Sequence, residues 1–434
     1  AAGRDTTTGS NNTAIGTDAL LFNTTGERNI AVGYAALEDN TTANDNTGVG
    51  YKALAATTTG IRNTAVGSQA ADAITTGDEN TCIGYISGSA ITTGDANTAV
   101  GHGSLYSNTT ASNNTAVGYK ALEANTTGTQ NVAVGATALD ANTTGGNNIA
   151  VGHNSLGANT TGEHNIALGS HCLDVNTTGS RNLGMGVNTL GANTTGTQNI
   201  ALGEDTLKAN TTASNNTAVG FNALLSNTTA GNQTGLGRRA LYSNTTGYEN
   251  TAVGALALED NTTGGSCVAV GVNALSSNTT ATENTAIGHQ SLYQNTTGYH
   301  NTALGRDALR ANTTANSNTA IGRYSMGVNT TGGNNTAVGA NALDSNTTAS
   351  GNTGVGYYSL KSNTTGSGNV AVGQNSLKTI VTGNYCTALG NATLENNTGS
   401  YNTAVGCNAL IANTTGSENV AVGFGALEDC TTGV

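Results

Sequence analysis

Apolar and polar positions recur along this chain with one fixed period. In the stretch Gly118-Tyr119-Lys120-Ala121-Leu122-Glu123-Ala124-Asn125-Thr126-Thr127-Gly128-Thr129-Gln130-Asn131-Val132-Ala133-Val134, Val134 is apolar and is followed by Gly135, which opens the next copy. The marker glycine returns at Gly16, Gly33, Gly50 and onward in steps of 17 to Gly390, then after one step of 16 at Gly406, and again at Gly423. The residue before it is apolar throughout, as in Ile15, Val32 and Val66. Two residues earlier stands Thr or an aliphatic, as in Thr64, Ile149 and Val268, and between them lies a column of very small residues, mostly Ala. This alternation of period two, rich in β-branched residues, predicts a short strand in each copy. No helical face of spacing i, i+3, i+4 is sustained.

A second apolar column is Leu, four residues after the marker glycine, as in Leu37, Leu122 and Leu258. Asn-Thr-Thr-Gly or Asn-Thr-Thr-Ala follows, as at Asn125–Gly128 and Asn210–Ala213. The Thr pair favours extended backbone, and the glycine offers a turn with positive φ. One copy therefore reads as strand, glycine corner, second extended segment, turn. A short period also means that each copy is a rung that must stack on its neighbours. The expectation is an all-β, parallel β-solenoid of about 25 coils with two short strands per coil, forming a single continuous domain over residues 1–434. Rungs spaced about 4.8 Å apart would give a rod of roughly 120 Å.

The side chains can be assigned within that scheme. Val and Leu would meet inside the coil. The Asn before each strand (Asn97, Asn131, Asn165, Asn250) would stack into an amide ladder, interrupted at Gln233, Cys267 and Cys386. The missing residue between Leu394 and Gly399 predicts a tightened loop or local kink. Two aliphatic side chains per rung do not offset the ordering of 17 residues. A further packed surface is therefore expected, and the all-small column suits close approach of another chain. The partner expected is the chain itself, as a homo-oligomer that also stacks end to end.

Composition narrows the function classes. Only 9% of residues are charged, the net charge is −12, and Arg238-Arg239 is the only basic pair. That argues against nucleic acid and anionic membrane as partners. No apolar run approaches the roughly 20 residues of a membrane-spanning helix. The opening at Ala1 and the close at Val434 inside a repeat suggest a processed chain or a segment of a longer one. The six cysteines, from Cys82 to Cys430, occupy unrelated columns without metal-type spacing.

The motif Asn63-Thr64-Ala65-Val66-Gly67-Ser68-Gln69-Ala70, repeated as Asn165-Ile166-Ala167-Leu168-Gly169-Ser170-His171-Cys172, resembles the head repeat of YadA-type trimeric autotransporter adhesins. It is also similar to the Asn-Thr-Ala-Val-Gly repeats of phage tail-fibre proteins. The resemblance implies a left-handed β-roll, three chains to a fibre, and display on a cell or virion surface.

Candidate chemistry is sparse. No HExxH, GxSxG or GxxxxGK[ST] motif occurs, so no catalytic, metal or cofactor residues are expected and the chain is read as a non-enzyme. Aromatic residues after the marker glycine, notably Tyr34, Tyr51, Tyr85, Tyr119 and Tyr357, are candidate contacts for a glycan or protein receptor. Nineteen copies carry Asn-Thr-Thr, a formal glycosylation sequon, with Asn125, Asn142 and Asn159 as representatives. Rungs about 4.8 Å apart leave little room for adjacent sugars. The expected role is an extracellular structural fibre segment with a display or adhesion function. A phage or virion tail-fibre shaft is the alternative, and an ice-binding solenoid built on Thr files is a lesser one.

Overall fold

The computed structural model describes residues 2–433. The chain is an all-β parallel solenoid with no helix among the described residues. It divides into two compact units, Ala1–Asn216 and Thr217–Val434. The first carries strands β1 (Thr13–Ile15) to β12 (Ile200–Leu202), and the second β13 (Thr217–Val219) to β25 (Val420–Val422). Within each unit every strand pairs in parallel with the strand of the next turn, as in Val132↔Ile149 and Ala133↔Ala150. The period read from the marker glycines is thus the register of the ladder.

Each turn has one strand of three residues, not two strands. The expected second segment fails because the corner alternates the sign of φ: Gly118 is at 141°, Lys120 at 57° and Leu122 at 53°. Such a path is too tightly coiled for extended backbone. Its N–H groups are nevertheless satisfied between turns. Lys120 N donates to His102 O of the previous turn at 2.9 Å, and Leu122 N to Ala138 O of the next at 3.0 Å. The Asn-Thr-Thr segment does the same, with Thr126 N donating to Thr143 O at 2.9 Å.

The interior is the reverse of the expected one. The small column in mid-strand is buried, with Ala133 at 0% exposure, whereas its neighbours Val132 and Val134 face outward. Where glycine fills that column the packing partner is evident: a Cβ on Gly235 would touch Leu224 Cδ1 at 3.3 Å. The core is therefore a thin seam of Leu against Ala. Only a small residue fits between the Leu column and the strand, so size rather than hydrophobicity decides which strand face turns inward.

The marker glycines have no substitute. Gly135 sits at φ 139°, and a Cβ there would collide with the backbone of Gly152 in the next turn. The glycine of Asn-Thr-Thr-Gly differs from expectation: Gly128 lies outside the left-handed region, and Ala111 and Ala213 occupy the same column. Smallness is the requirement there, and positive φ falls instead on non-glycine residues such as Gln130 at 61°.

Asparagine ladders and exposed columns

Two files of buried asparagine run through each unit. The expected one precedes the strand. Asn131 N donates to Asn114 Oδ1 at 2.9 Å, and Asn131 Nδ2 to Gly145 O at 2.9 Å. Gln233 holds its place in this file, accepting from Asn250 N at 3.3 Å and donating to Gly247 O at 2.6 Å. Cys267 N and Cys386 N still donate to Asn250 Oδ1 and Asn369 Oδ1 at 3.0 and 2.9 Å, but their side chains supply only sulfur contacts, such as Cys267 Sγ to Ala281 O at 3.5 Å.

The second file was not anticipated. It consists of the Asn of each Asn-Thr-Thr turn. Asn142 Nδ2 donates to Asn125 Oδ1 and to Gly145 O, both at 2.9 Å, and Asn159 repeats the pattern on Asn142 and Gly162. All three side chains are fully buried. A sugar on Nδ2 of Asn125, Asn142 or Asn159 is sterically incompatible with this packing and would break the ladder. The same-turn bond of Asn125 N to Leu122 O closes the corner. The sequence signal for this file was the recurrence of Asn in most copies where other turn-forming residues would serve.

The two files explain three of the buried side-chain atoms that lack partners. Thr57 replaces Asn in the turn file, and both its Oγ1 and Asn40 Oδ1 before it are left unpaired. Ile380 replaces Asn later, and Asn363 Oδ1 is left unpaired. The first Thr of each turn also bonds along the axis, as Thr126 Oγ1 to Thr143 O at 3.0 Å, while the second, such as Thr127, is exposed. At Leu394–Gly399 it is this exposed Thr that is missing. The loop tightens, yet Thr398 Oγ1 still donates to Thr414 O and Asn413 Nδ2 to Asn397 Oδ1 at 2.9 Å.

The outer columns carry varied chemistry. Tyr34, Tyr51, Tyr85, Tyr119 and Tyr357 are all about half exposed. Tyr34 stacks on Tyr51 with centroids 5.5 Å apart, and His102 lies 5.3 Å from both Tyr85 and Tyr119. Tyr357 packs instead on its neighbour Tyr358 at 3.8 Å. Tyr34/Tyr51 and His102/Tyr119 stack face to face along the axis, while Tyr85 is tilted by 45° on His102. Charges pair between turns in the same manner: Arg28 Nε lies 2.6 Å from Asp45 Oδ1 and Arg62 2.7 Å from Glu79. The Arg28 hydrogen bond holds the Asp45 carboxyl below its ordinary pKa.

Among the described residues no group of three or more His, Cys, Asp or Glu is placed to hold a metal ion, and no helix is long and apolar enough to cross a membrane. The chain matches no protein-family model and no curated protein.

Proposed function

We propose that this chain is a structural segment of an extracellular fibre, with a display or adhesion role and no chemistry of its own. The observation that carries the reading is the pair of buried asparagine files. Together with the backbone ladder they fasten each turn to the next by the same atoms, so load along the axis is shared by many equivalent hydrogen bonds. The interior repeats almost without change, while the exposed columns vary freely between Tyr, His, Arg, Glu and Ala. A constant interior under a variable exterior suits a spacer that presents contacts. A left-handed roll, three chains per fibre and a surface location belong to this proposal through the adhesin and tail-fibre resemblance. A tail-fibre shaft is the same reading with a virion as owner.

Purified chain imaged by electron microscopy and weighed by sedimentation tests the proposal. Uniform elongated particles, at a multiple of the 42.9 kDa chain mass, are expected. Compact monomers would overturn it, and thermal hysteresis in the same preparation would move the reading to ice binding.

A further inference from the structure

We propose that the outward strand face of residues 2–216 seats the same face of a second copy of this chain, the two running parallel and in register. The inference rests on the self-associating fibre reading and names the surface that assembles it.

In every turn of this unit the two outward strand residues are Thr or apolar, and neither column contains a charge between Thr13 and Leu202. Ile149 and Val151 are 36% and 39% exposed. Over a dozen turns such a stripe presents on the order of 1,000 Å², comparable with the roughly 800 Å² that each partner buries in a stable interface. It also exceeds the apolar patch that a soluble monomer ordinarily leaves in water. No corresponding stripe exists in the small-residue column, because that column is the interior.

The geometry of the stripe selects its occupant. A partner must offer apolar groups at one-turn spacing across the whole length of the face. A second copy does so by construction, whereas a globular partner would cover a few turns only. Two such faces pack about 10 Å apart, as sheets do elsewhere.

The sequence also selects the direction. From Val132 to Leu202 both outward columns are apolar without Thr, as in Ile166/Leu168 and Ile200/Leu202. From Thr47 to Val117 the first of the two columns is Thr in every turn. Parallel register sets aliphatic against aliphatic and Thr against Thr, where the hydroxyls can bond one another. Reversing one chain within this unit would press Ile149 and Ile166 onto Thr64 and Thr47 and strip those hydroxyls of partners.

The test uses the full chain with Cys407→Ser and Cys430→Ser, which removes the two partly exposed thiols. Val151→Cys in that background is expected to be joined to a second Val151→Cys chain by a short bis-maleimide cross-linker, because facing sheets lie too far apart for a direct disulfide, and Thr144→Cys, on the exposed turn, is not. A link between Val151→Cys and Val66→Cys chains, with none within Val151→Cys chains, overturns the parallel register. Ile149→Asp with Val151→Asp is expected to sediment as a monomer with unchanged far-ultraviolet dichroism. Wild type that self-associates while this double variant keeps the same mass overturns the seam and leaves the fibre reading intact. Wild type that sediments as a monomer overturns self-association itself.

Discussion

Asn142 Nδ2 donates to Asn125 Oδ1 across 2.9 Å, although the two residues are 17 apart in the chain. The bond is fully buried, and Asn142 Oδ1 in turn accepts from Asn159 Nδ2 at 2.9 Å. Asn142→Ala therefore removes one ladder member and leaves two buried amides short of a partner. The expected cost is about 2–4 kcal/mol. Hydrogen exchange should localise the loss to the turns on either side, with faster exchange at Thr126 and Thr143, while distant turns keep their protection.

Thr57→Asn should act in the opposite sense. The new amide nitrogen would lie where Asn40 Oδ1 now lacks a donor, while the new amide oxygen, facing Ile74, would take the place of the unpaired Thr57 hydroxyl, so one orphan remains of two. A gain of about 1 kcal/mol is expected, read as a higher urea midpoint. A lower midpoint would show that the Thr57 turn has relaxed around its own defect.

Thr137 sits at φ 53°, where a β-branched residue is strained. Asn154 and Asn188 hold the same column at 54° and 53°. Thr137→Asn should stabilise the fold by about 1 kcal/mol, with an unchanged dichroism spectrum and a higher thermal midpoint.

Burial pushes the Cys82 and Cys172 thiols up to about 12 from 9.0. Between these values the unfolded chain has lost protons that the folded chain retains, so stability falls as pH rises. It should be insensitive to these groups below about pH 9 and decline from there towards pH 12. Thiol titration at pH 8 is expected to detect Cys407 and Cys430 in the folded chain, and all six cysteines once denatured.

The register, the glycine corner and the asparagine file before the strand were legible because each depends on one residue type recurring at one spacing. The strand faces were not. In Thr-Ala-Val, hydrophobicity favours turning the flanks inward, whereas size favours the middle, and a segment of three residues has no further alternation to decide between them. The thickness of the Leu–Ala seam decides, and that is a tertiary quantity. A column that accepts both Thr64 and Ile149 was nevertheless a hint of a surface, since a tight interior rarely tolerates both. The second strand was misjudged because left-handed residues such as Leu122 carry no local signature. The turn asparagines, read as formal sequons and turn formers, lie in the interior because their amides find partners only when turns stack.

The tightened loop at Leu394–Gly399 shows that a turn one residue short still fastens to the turn after it, since Thr398 Oγ1 donates to Thr414 O and Asn413 Nδ2 to Asn397 Oδ1. A regular turn can therefore follow a shortened one. Recombination between gene copies would lengthen or shorten the protein by whole turns without opening its interior, which makes its reach a heritable ruler graduated in single coils.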